Sequence, residues 1–156
     1  MNNKYVLREI PTKQRLQYMD LLLLADESEE MINSYIHKGS FLILEENNQQ
    51  AVGVILLLHE DDKTIEIKNI SILEQFQGKG LGRLLIKHTE ERVKLQGVER
   101  LIVGTANSSI GNIAFYQKLG FRMYDIRKDF FLDYPEIIYE NGIQAQDMIM
   151  FKKLLN

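Results

Sequence analysis

Gly78, Gly80 and Gly82 stand at every second position of QFQGKGLGRLLIKHTEE (75–91), and a strongly helical run follows at once. Ordering a glycine inside an element costs roughly 0.5–1 kcal/mol. Three of them before a helix therefore point to a task for bare backbone. A helix N-terminus presents N–H groups without partners and a partial positive charge. Glycines just ahead of it let the main chain take positive φ and approach a ligand closely. Together they make an anion cradle suited to phosphate. Lys79 and Arg83 add positive charge beside it.

Two familiar phosphate patterns fail on spacing. The GxxxxGK[ST] loop is absent, because Gly82 is followed by Arg83 and Leu84. The dinucleotide fingerprint GxGxxG needs its third glycine one residue later, and an acidic residue roughly 20 positions on. Three meander strands also precede the glycines, which breaks the Rossmann order.

The elements that must position this turn are legible from periodicity. YVLREI (5–10) reads as a strand, and Pro11 and Thr12 open a helix to about Leu24. DESEEMINSYIHKG gives a second helix, with Asp26 or Ser28 as cap and Gly39 as stop. Strands follow at 40–46, 51–60 and 64–73, joined by the turns NNQQ and DDK. A long helix runs from about Leu81 to Gln96, with Leu81, Leu84, Leu85, His88 and Val93 near one face. Then come a strand at 100–106, a helix at 109–119 closed by Gly120, and strands at 121–127 and 147–153. The last two strands flank a long aromatic and acidic loop, and long loops in compact domains are often functional. The class is α+β, mixed α/β. The meander argues for antiparallel pairing, and the later strand–helix–strand units allow one parallel neighbour.

Composition narrows the function. The 156 residues suit one domain over 1–156, and no internal repeat or linker divides them. The absence of cysteine excludes disulfide and thiol chemistry, and with three scattered histidines it leaves no metal site expected. A net charge of −3 gives no reason to expect nucleic acid. The opening MNNKYVLREI carries no secretory run, and DLLLLA and AVGVILLLH are far too short to span a bilayer. A cytoplasmic protein without a membrane partner is the expectation.

Gln77-Gly78-Lys79-Gly80-Leu81-Gly82 resembles the Q/R-x-x-G-x-G/A signature of the GNAT acetyltransferase superfamily. GNIAFYQKLGF (111–121) resembles that family's second acyl-CoA segment, and the element order from 5 to 153 is similar to a GNAT domain. The resemblance implies a central, mixed, mostly antiparallel sheet of about seven strands flanked by four helices, with strands 4 and 5 splayed. It implies acetyl-CoA as cosubstrate, its pyrophosphate held by the amides of Gly78, Lys79, Gly80, Leu81, Gly82 and Arg83. Backbone groups of Ile70, Ser71 and Ile72 would pair with the pantetheine arm like an added strand.

The resemblance also assigns chemistry. Tyr116 matches the tyrosine that faces the coenzyme sulfur and acts as general acid; a core tyrosine beside Phe115 and Leu119 is the alternative. Glu66 stands where some members place a catalytic base, and alternation puts it on the face of Ile70 and Ile72. A solvated residue paired with Lys68 is the alternative reading, with Glu45, Glu46 and His59 as other bases. The family often carries an asparagine where this chain has Ser109. Asn107 or Asn112 is then the substitute coenzyme contact. The implied activity is N-acetyl transfer to a primary amine of a small molecule or peptide by direct attack. A non-catalytic acyl-CoA-binding module is the alternative. Aspartates, glutamates and aromatics of the 125–147 loop suit a cationic or aromatic amine as readily as a plain charged surface. Oligomeric state stays open, with a homodimer among the options.

Overall fold

The computed structural model describes residues 4–47 and 50–156. Asn48 and Gln49 of the turn expected at 47–50 lie outside the described residues. The chain forms β1 (Tyr5–Glu9), α1 (Met19–Leu23), α2 (Glu29–Asn33), β2 (Ser40–Glu46), β3 (Gln50–His59), β4 (Thr64–Ile72), α3 (Leu81–Lys94), β5 (Arg100–Ala106), α4 (Ile110–Lys118) and β6 (Arg122–Arg127). A short pair, β7 (Tyr139–Glu140) and β8 (Ile143–Gln144), precedes the last strand, β9 (Met148–Leu154). Seven strands make one sheet in the order β1-β2-β3-β4-β5-β9-β6. Its neighbours are antiparallel except β4 and β5, which run parallel.

The β4–β5 pairing is short. It runs from Thr64 opposite Arg100 to Ile67 opposite Val103 and stops. The stop coincides with an irregularity on the other side of β4, where Leu56 pairs with Asn69 but Leu57 pairs with Ile67. Lys68 is thus an extra residue, a β-bulge that bends its strand and raises the local twist. Beyond it the strands part, and residues 68–72 keep one strand edge unpaired.

The bulge also swaps faces. Ile65, Ile67, Ile70 and Ile72 all pack into the apolar cluster that holds Leu81, Leu85 and Phe151. Asn69 and Ser71 turn to the other face and donate to the carbonyls of Leu22 and Leu21. Glu66 pairs across to Leu58, which packs on the same α1–α2 side. Simple alternation, which sets Glu66 beside Ile70 and Ile72, is therefore corrected: one inserted residue reverses parity.

Two helical segments differ from their periodic reading. Residues Thr12–Tyr18 wind as a 3₁₀ helix before α1 begins. Three residues per turn align Thr12, Arg15 and Tyr18. Arg15 is carried inward, where its guanidinium donates to the carbonyls of Ile10, Ile36, Lys38 and Gly39 at 2.7–3.3 Å. The second helix starts as expected, with the Met31 N–H donating to Ser28 Oγ at 3.2 Å, but ends at Asn33. Turns complete the path to Gly39, whose φ of +59° and an ideal Cβ only 1.9 Å from the Leu57 carbonyl oxygen admit no other residue.

The long segment after β6 is built rather than loose. Phe130–Asp133 form a 3₁₀ turn. Asn141 and Gly142, at φ +55° and +74°, close the β7–β8 hairpin. Asn-Gly is a strong hairpin signal, and the sequence reading passed over it. Among the described residues no helix is long and apolar enough to cross a membrane.

Candidate active site

The glycine turn divides its labour. Gly78 and Gly80 take φ of +77° and +78°, and an added Cβ at either would meet nothing within 4 Å. They are there for backbone conformation. Gly82 is there for space: its ideal Cβ would lie 3.2 Å from Phe115 Cζ. Gly80 caps α3 in the left-handed region without a side-chain hydrogen bond. Leu84 N–H is the first in the helix to find a carbonyl, that of Gly80 at 3.0 Å. The six N–H groups from Gly78 to Arg83 have no hydrogen-bond partner among the described residues. No acidic residue occupies the first turn of α3. The Gln77 amide donates to the Ile72 carbonyl at 2.8 Å and fastens the turn to the end of β4.

A cleft of ≈ 520 Å³ opens from this turn. Gln77, Gly78, Gly80, Leu81, Gly82 and Arg83 line one end. Ile70, Ser71 and Ile72 line the middle, and Asn112, Phe115 and Tyr116 close it. Lys79 stands outside the lining, its ammonium 5.2 Å from the Phe76 ring centroid. A second cavity of ≈ 110 Å³ continues through the gap between β4 and β5. It is lined by Asp26, Lys68, Asn69, Thr105, Ser109, Met148 and the aromatic group Phe130, Phe131 and Tyr134. Ala25, Ile70, Asn112 and Tyr116 belong to both.

Tyr116 therefore stands at the junction. Its ring packs 5.2–5.7 Å from those of Phe115, Phe121 and Phe151, so it is also a core residue. Burial pushes its hydroxyl well above the ordinary tyrosine range, which keeps it protonated at neutral pH. The hydroxyl has no hydrogen-bond partner among the described residues, and desolvation is its only perturbation.

The remaining sequence candidates separate. Asn112 reaches the junction and donates to Thr105 Oγ1 at 3.3 Å. Asn107 does not line either cavity. Its Nδ2 donates to the Gln144 carbonyl, and its Oδ1 accepts from the Gln146 and Asp147 amides. The Asn107 amide thus ties β5 to the segment before β9. Ser109 lines the second cavity and donates to Glu140 at 2.8 Å. Glu66 is buried at 8% exposure but lines neither cavity, and its carboxylate sits 3.7 Å from Arg127 rather than beside Lys68. Glu45 and Glu46 are paired with Arg8 and Lys4 at the far end of the sheet.

Two residues of the second cavity escaped the sequence reading. Asp26 reads locally as a helix cap. In the structure its Oδ1 accepts from Ser28 N–H and its Oδ2 from the Tyr35 hydroxyl, which itself accepts from Asn69 Nδ2. Burial, opposed by the hydrogen bond from Asn69 and helped by the nearby Asp26 carboxylate, pushes the Tyr35 hydroxyl up. Lys68 gives no local signal, because only the bulge turns it into the gap.

A mixed sheet opened beside a parallel pair, with a bare amide cradle at the helix leading from it, is the architecture expected of a GNAT acetyltransferase. The chain belongs to the GNAT acetyltransferase family, whose model matches residues 7–121. An N-acetyltransferase of Bacillus subtilis called YvbK, itself uncharacterized, is 39% identical over 96% of both chains. The crystal structure of a GNAT family acetyltransferase from Elizabethkingia anophelis with acetyl-CoA bound superposes at a TM-score of 0.91. It is 40% identical and covers 99% of this chain and 100% of its own. A protein from Bacillus cereus described as an IAA acetyltransferase superposes at 0.89, with 41% identity over 97% and 99% of the two chains.

Proposed function

We propose that this N-acetyltransferase moves the acetyl group of acetyl-CoA to a primary amine by direct attack. The observation that carries the reading is the continuous path from the six amides at Gly78–Arg83, unpartnered among the described residues, past Tyr116, to a cavity with room for an acceptor's reactive end. In this reading the amides grip the pyrophosphate, with Arg83 and Lys79 adding charge. The unpaired edge of β4 at Ile70, Ser71 and Ile72 takes the pantetheine as an extra strand, which brings the thioester to Tyr116.

Three demands follow from the chemistry. The amine must be neutral, which costs roughly 4–5 kcal/mol at pH 7 for a pKa near 10.4. The amine nitrogen then bonds to the thioester carbonyl carbon, whose oxygen needs a donor as charge develops. The carbon–sulfur bond breaks, the thiolate takes the Tyr116 proton, and the proton shed by the attacking nitrogen passes to water, from which the Tyr116 phenolate is reprotonated. Glu66 has no direct contact in this scheme; a route from it to the amine needs intervening water. A covalent acyl-enzyme is disfavoured, since cysteine is absent and the hydroxyls of Ser71 and Ser109 are each committed to an acceptor.

The test is thiol release from acetyl-CoA across a panel of amines, amino acids and peptides. IAA, named for the B. cereus relative, belongs in the first round. Amine-dependent release supports the reading; tight acetyl-CoA binding with no release for any amine refutes it.

A further inference from the structure

We infer that the acceptor carries a carboxylate beside its amine, and that Lys68 is the residue that selects for it. The inference rests on the amine-transfer reading above and names the substrate class of that site.

Lys68 is the extra residue of the β4 bulge, at the point where β4 and β5 part. It lines the acceptor-side cavity together with Asp26, Tyr116 and the aromatic wall. Its ammonium lies 5.3 Å from the Tyr35 ring centroid and 5.8 Å from that of Phe130. It makes no ion pair within 4 Å among the described residues, whereas most other cations near the sheet are matched, as Arg127 with Glu66 and Lys153 with Glu90. A half-buried lysine head held over ring faces is attracted by the ring quadrupoles, and its N–H groups are available to an anion. A cavity that took only a cation would not place a positive charge in its wall.

Asp26 supplies the opposite sign. It is the one carboxylate among the described residues lining either cavity, and the Tyr35 hydroxyl and the Ser28 amide fix its two oxygens. Lys68 and Asp26 thus present one cation and one oriented anion in the same small space, with Phe130, Phe131 and Tyr134 alongside. The complement is a zwitterion: an ammonium toward Asp26, a carboxylate toward Lys68, and an apolar or aromatic side chain against the rings. A free amino acid has those parts.

The experiment measures thiol release with free amino acids and their decarboxylated counterparts, such as phenylalanine and phenethylamine, for the wild type, Lys68→Met and Lys68→Arg. Acetyl-CoA thermal shifts establish that each variant is folded. The wild type should favour the carboxylate-bearing acceptor by about tenfold or more in kcat/KM, as expected when a site charge would otherwise be left unpaired. Lys68→Met should bring that ratio towards one, mainly through KM of the amino acid, and Lys68→Arg should restore much of it. Equal or better use of the decarboxylated amines by the wild type overturns the inference and leaves amine transfer standing, as does a ratio unchanged in Lys68→Met. No release with any acceptor sinks both.

Discussion

The Phe115 ring fills the space in which a side chain on Gly82 would have to stand, with Cζ 3.2 Å and Cε1 3.3 Å from the ideal Cβ. This contact locks the first turn of α3 against α4. The glycine turn and the segment bearing Tyr116 are therefore packed directly against each other. Gly82→Ala would wedge them apart by a few tenths of an ångström. We expect acetyl-CoA affinity to fall about three- to tenfold in calorimetric titration, because a small displacement of aligned donors weakens every contact they make. Unfolding temperature should change little, since alanine regains part of the cost through helix propensity.

Gly80→Ala tests conformation rather than space. Nothing crowds the new methyl, but φ is +78°. Left-handed backbone costs an L-residue roughly 1–2 kcal/mol. Relaxing that strain would turn the following amides away from a common point. Acetyl-CoA binding should weaken about tenfold or more in the same titration, while the apo protein stays folded by circular dichroism.

Tyr116→Phe keeps the ring packing against Phe115, Phe121 and Phe151 and removes only the hydroxyl, the proposed proton donor. General acids typically contribute 10²–10⁴-fold. A thiol of pKa ~8.5 is an easy leaving group, so about 10- to 100-fold in kcat is expected, with acetyl-CoA affinity near that of the wild type. Burial raises the hydroxyl's pKa, so loss of the proton should not limit the wild-type rate anywhere below pH 10.

Arg15→Met leaves four carbonyls without their donor, those of Ile10 and Ile36 in buried bonds and those of Lys38 and Gly39 in part-buried ones. Each buried unsatisfied group costs about 1–3 kcal/mol. Even with partial relaxation, urea denaturation should show a loss of about 3 kcal/mol or more. Burial lowers the Arg15 pKa, but arginine starts high enough that its charge persists at any working pH.

Arg8 hydrogen-bonds Glu45 through Nε and Nη2, both at 2.9 Å, and holds the Glu45 carboxyl below its ordinary range. A depressed carboxylate stabilises the fold above the unfolded pKa near 4.3 and ceases to do so as pH falls through its lower folded value. Arg8 is largely exposed, so solvent screening keeps the contribution small. The gap in melting temperature between wild type and Arg8→Ala should therefore be present at pH 7 and should shrink below about pH 4.

What the sequence determined by itself is whatever short-range backbone chemistry decides. The anion cradle is three glycines and a helix start, so Gly78, Gly80 and Gly82 were readable within six residues. The seven sheet strands and the helices α3 and α4 were readable because each carries its own periodicity and stop signals, as Gly97 and Gly120 do. The first two helical segments were legible in place but not in winding or length. The Asn141–Gly142 turn was readable too and was passed over.

Only the tertiary structure decided which way β4 faces beyond Lys68. A bulge arises from pairing with β3, and no periodicity within β4 records it; one extra residue then exchanges the faces of Glu66 and Ile70. The same long-range cause separates Asn112 at the junction from Asn107, whose amide is claimed by residues some forty positions away. Asp26, Lys68 and Phe130 meet because three distant segments close around the gap between β4 and β5. Hydrogen bonding to neighbours fixes local conformation, whereas side-chain direction at a strand irregularity depends on partners the local sequence does not contain.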